Sequence, residues 1–82
     1  MKQIKEAHIA IVFQPACANV YLIGDNGSRQ RLTQDAYDFC RAFASGYAHA
    51  TGLDIYCYAC ERGDATEQNW GSPRKHEVDY VA

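Results

Sequence analysis

At 82 residues the chain has the length of one small domain and cannot build two independent cores. Apolar and aromatic residues make up 48% of it and charged residues 22%, which excludes a disordered, highly charged tail. A net charge of −2 and a pI near 5.8 supply no general basic field for nucleic acid, although a local basic patch is compatible with them. No stretch approaches the roughly 18 consecutive apolar residues that a bilayer span requires.

In chain order, Ile4 to Phe13 alternates, with Ile9, Ile11 and Phe13 on one side and His8, Ala10 and Val12 on the other, and predicts a first strand. The same start, with Lys2 and Lys5 ahead of Ala7 to Phe13 and Ala16-Cys17-Ala18, has the outline of a secretory leader. Its apolar part is short and contains His8, so it is read as part of the domain. The four cysteines, Cys17, Cys40, Cys57 and Cys60, then read as reduced thiols of a cytoplasmic protein, packed as small hydrophobes.

Pro15 breaks the first run, and Asn19 to Ile23 predicts a second strand that is apolar on both faces. Gly24-Asp25-Asn26-Gly27 has the Asn-Gly pair of a tight hairpin, and Ser28 to Leu32 returns as a short third strand carrying Arg29 and Arg31 on one face. Thr33 is the predicted helix cap, with Asp35 at the positive end of the dipole and Leu32 stapled to Tyr37. A helical stripe of Ala36, Phe39, Cys40, Phe43, Tyr47 and Ala50 opposes Asp38, Arg41, Ser45 and His49, and Gly52 closes the helix. Gly46, a poor helix former, predicts close approach to the sheet.

Leu53 to Cys60 alternates clearly and predicts a fourth strand. Glu61 opens a polar, turn-rich stretch in which 62–75 reads as a loop with Trp70 as its one large apolar anchor. Residues 76–81 alternate weakly and predict a fifth, edge strand. The expected fold is one α+β domain over 1–82, in the order β-β-β-α-β with that extra strand, an antiparallel sheet packed on one amphipathic helix.

One helix covers one face of a sheet that is apolar on both. If Ile9, Ile11, Phe13, Leu53 and Ile55 face the helix, then Ala10, Val12, Tyr56, Tyr58 and one alternate set of the second strand face outward, with Arg29 and Arg31 at the margin. Tyrosine and arginine beside small apolar residues are an interface composition, so Tyr56, Tyr58, Arg29, Arg31 and Val12 are the expected partner-binding residues. The competing reading is that Trp70, Val78 and Tyr80 fold back over them. A homodimer through that face or an edge strand fits the same pattern.

Cys57-Tyr58-Ala59-Cys60 has metal-site spacing, but in a strand its sulfurs point to opposite faces. Zinc held by Cys57, Cys60 and a histidine such as His76 is the metal alternative, and the expectation is no metal and no cofactor. His8, His49 and His76 are scattered and form no catalytic constellation with a nucleophile, so no catalytic residue and no enzyme is expected. Single-strand nucleic-acid binding, with Tyr56 and Tyr58 stacking on bases, is the remaining alternative.

In length, acidic balance and a strand-rich plan around one helix, the chain resembles the small phage-encoded inhibitors of host defence, including anti-CRISPR proteins. The resemblance spans the whole chain through its general pattern and carries over no individual residue. It implies stoichiometric occlusion of a host protein surface and no active site.

Overall fold

The computed structural model describes residues 6–60 and 70–76. The expected strand positions 4 and 5, loop residues 61–69 and strand positions 77–81 lie outside the described residues. The elements are β1 (His8–Phe13), β2 (Ala18–Ile23), β3 (Arg29–Asp35), α1 (Tyr37–Thr51), β4 (Ile55–Ala59) and β5 (Arg74–His76). They form one sheet in the order β3-β2-β1-β4-β5, with α1 packed on it.

Alternation along β1 has the predicted effect. Ile9 and Ile11 enter the core beneath α1 together with Val20 and Ile55, while Ala10 and Val12 join Tyr21, Ile23 and Tyr58 on the second face. The turn after β2 closes with the Gly27 amide donating to the Gly24 carbonyl at 3.0 Å. Positive φ falls on Gly27 alone, at 86°, and not on Asn26, so the loop has the form of an ordinary turn followed by a left-handed glycine. The Asn26 side chain instead accepts from the Ser28 amide at 3.0 Å.

β3 runs past the expected end at Leu32 to Asp35, which takes Thr33 out of the cap position and into the ladder opposite Val20. The register slips between Val20 and Tyr21, leaving Leu32 as the extra residue of a bulge. Leu32 packs against the helix-side core, and Tyr37, the expected staple partner, instead sets its ring edge-on to Phe13 with centroids 5.1 Å apart. Ala36 is the N-cap and has no side-chain cap; its amide donates to Asp35 Oδ1 at 2.7 Å.

The helix ends as predicted, on Gly52 at φ 76° with its amide bonded to the Ala48 carbonyl. Its buried stripe is Cys40, Ala44 and Ala48, rotated from the expected one; Phe43 and Tyr47 flank it, and Ala36, Phe39 and Ala50 are exposed. Small side chains at i, i+4 and i+8 let the helix axis come close to the sheet, a role expected of Gly46. That glycine is exposed, and a Cβ there would meet nothing within 4 Å.

One strand pairing is parallel. β3 ends at one margin, α1 carries the chain back diagonally over the layer, and β4 therefore starts in the direction of β3 and lies parallel to β1; the other pairings are antiparallel. Five strands spaced about 4.8 Å apart make a layer roughly 20 Å wide, whereas a helix with its side chains is about 10 Å across. Accordingly α1 packs on β1 and β2, reaches β3 and β4, and has no backbone neighbour in β5.

A candidate binding groove between the helix and the β5 edge

The second face is not open. Trp70 is buried over Tyr58 and Tyr21, with ring centroids 4.9 and 5.1 Å away. Gly71 makes this approach feasible: its amide donates to the Ala59 carbonyl at 2.7 Å, and a Cβ there would sit 3.1 Å from that same oxygen. The Arg29 guanidinium caps the indole 3.9 Å from the ring centroid.

Two of the five expected interface residues therefore belong to the core. Val12 is completely buried and Tyr58 is 9% exposed. The Tyr58 hydroxyl and His8 Nε2 share a hydrogen bond of 3.0 Å, while His8 Nδ1 donates to the Glu6 carbonyl at 2.8 Å. Burial pushes the Tyr58 phenol above its usual range, with Arg29 acting in the opposite sense and Tyr56 adding to the rise. Tyr56 is half-buried, edge-on to His8 at 5.2 Å. Arg29 and Arg31 are exposed on β3, with Arg29 engaged on the indole. Among the described residues Trp70 covers this part of the second face, so Val12 and Tyr58 are not part of a free surface, and Tyr58 is no platform for a stacked base.

The Cys57 and Cys60 sulfurs separate as the strand period requires. Cys57 lies on the helix side, and Cys60 is buried in the second-face cluster with Trp70. One ion cannot take both without rebuilding β4, and among the described residues no three His, Cys, Asp or Glu side chains converge.

What the fold leaves open is the far part of the helix-side face. Because α1 stops short of β5, a groove of about 590 Å³ runs between them, lined by Phe13, Arg41, Cys57, Ala59, Arg74 and His76 among others. Cross-strand register assigns the β5 side chains: Arg74 opposes Cys57 and His76 opposes Ile55, both helix-side residues, so Arg74 and His76 share the groove face. Lys75 opposes Tyr56 on the other face, where its ammonium lies 3.8 Å from Asp54.

Arg41 forms the opposite wall, its guanidinium 5.4 Å from the Phe13 ring centroid. Its ion pair with Asp38 is loose, at 3.9 Å from a fully exposed carboxylate. Burial pushes the Cys57 thiol up, while Arg41 and Arg74 both pull it down, so the two guanidiniums act on one point from opposite sides of the groove. The sequence did carry a signal for this site: Arg74-Lys75-His76 is its one run of three basic residues, placed directly after Pro73. Inside a segment read as loop, the run had no partner to give it meaning.

On the other flank of α1, Phe39, Phe43 and Tyr47 form a stacked row with centroids 6.3 and 6.2 Å apart, and Phe39 is half exposed. Comparison with known proteins gives no match: no family profile, no curated protein and no solved structure is significantly similar to this chain.

Proposed function

We propose that the chain is a non-enzymatic protein-binding domain that takes an extended segment of its partner into the groove between α1 and β5. The observation that carries this reading is the meeting of a groove and a strand edge: among the described residues no strand pairs with the outer side of β5, which borders the groove. An unpaired edge offers backbone donors and acceptors for an added strand, and the neighbouring groove offers pockets for its alternate side chains. Arginine and aromatic groups at its walls are the side chains that most often dominate binding energy at protein interfaces.

The resemblance to phage-encoded host-defence inhibitors gives this reading its particular form, occlusion of a host protein surface such as that of a CRISPR effector. The place of action under the same reading is the cytoplasm, where the four free thiols stay reduced.

Site-specific photo-cross-linking tests the proposal. A photoreactive residue replacing Ser72, exposed at the groove, should join the protein to one discrete partner in host lysate, identified by mass spectrometry; one replacing Asn26, in the exposed hairpin, should not. Equal products from both positions, or none from Ser72, would reject it.

A further inference from the structure

We infer that the segment received by the groove is acidic, with carboxylates at alternate positions that meet Arg74, His76 and Arg41. This rests on the reading of the groove as a protein-binding site and names the chemistry of what enters it.

Charge supports it first. Two guanidiniums and an imidazole line one groove in a chain of net charge −2, and among the described residues no carboxylate lines it with them. Among the described residues the neighbouring acids are placed elsewhere: Asp38 reaches Arg41 only from solvent, and Asp54 is engaged by Lys75 on the other face. Part of the floor is apolar, from Phe13 and Ala59, so an entering carboxylate is screened less than on an open surface. Paired with two arginines it forms charge-assisted hydrogen bonds, which are stronger than neutral ones.

Spacing supports it second. Arg74 and His76 are two residues apart in a strand and share the groove face. A strand laid along β5 presents side chains to that face at every second residue, so acid-x-acid is the pattern that matches both. Arg41 reaches the same space from the helix. A second copy of β5 is a poor occupant, since antiparallel self-pairing about Lys75 would set two ammonium groups opposite each other. A small oxyanion is also a poor fit, because it would leave the strand edge unused.

Fluorescence anisotropy with labelled ten-residue peptides decides the matter. The peptides are alternating Thr and Glu, alternating Thr and Lys, and a Thr/Glu peptide with glutamates three apart. Wild-type protein should bind the alternating Glu peptide at least about tenfold more tightly than either of the others, a gap of roughly 1.4 kcal/mol. Arg74→Glu should lose that peptide and gain the Lys one, and Arg41→Glu should weaken Glu-peptide binding from the opposite wall. Phe39→Ser, on the far flank of the helix, should change nothing.

Equal binding of the two Glu spacings would overturn the inference, as would displacement by millimolar inorganic phosphate, tighter binding of a single-stranded oligonucleotide, or indifference to both arginine substitutions. If Ser72 cross-links to a partner that the alternating Glu peptide does not displace, the acidic chemistry falls and the protein-binding reading stands. If the peptide binds as expected and Ser72 captures no protein, the broader reading falls alone.

Discussion

The two faces of this sheet are covered by different means. Beneath α1, Cys40, Ala44 and Ala48 lie against Ile9, Ile11, Val20 and Ile55, so many modest contacts share the burial. On the second face, among the described residues, one indole, followed by Gly71 and capped by Arg29, packs on Tyr21 and Tyr58 in a cluster with Ala10 and Val12. A layer built from a regular element distributes its energy, whereas a layer built from one side chain concentrates it.

That contrast can be broken most easily at Trp70. Trp70→Ala should cost about 3–5 kcal/mol, the range for removing a large buried aromatic, read as a lowered midpoint in urea unfolding; a loss below about 1 kcal/mol would show that the second face does not depend on it. A smaller effect is expected under the helix. Ala44→Leu forces a larger side chain into a close helix–sheet contact and should cost about 1–3 kcal/mol by the same measurement. The smallest effect has the opposite sign. At Gly46 the helix faces solvent and a Cβ meets no neighbour, so Gly46→Ala should stabilise by about 0.5–1 kcal/mol; destabilisation would mean that the backbone there does approach the sheet.

The regular layer was legible in the sequence, whereas the cover of the second face was legible only as one of two competing readings. Period-two alternation in His8–Phe13 and Ile55–Ala59 sorted side chains between faces correctly, because a strand in a buried layer has no other way to place them. The helix ends were less legible. Thr33 has the chemistry of a cap, but continued pairing with β2 held it in the ladder, and tertiary hydrogen bonds outweighed local preference. The rotated helix stripe has a similar cause: hydrophobicity pointed to Phe39, while closeness of packing selected Ala44 and Ala48. The competing reading laid Trp70 over the second face and is borne out at that residue, with positions 78 and 80 outside the described residues, yet nothing local decided between that cover and an open face. The groove was hidden for the same reason, since Phe13, Arg41 and Arg74 come from three separate elements and meet only through the crossover that places β4 beside β1.

The bulge at Leu32 also bears on how copies of the molecule meet. It reverses the parity of β3, so that Arg29 and Arg31 stand on the side of Tyr21 and Ile23 while Thr33 and Asp35 stand on the side of Val20 and Ala18. A duplicate strand docked about Leu32 would bring Arg31 against a threonine projecting the wrong way, and one docked about Gln30 would set Arg29 against Arg31. In these antiparallel registers, like-with-like addition meets mismatched parity or like charge at β3 and two opposed ammonium groups at β5.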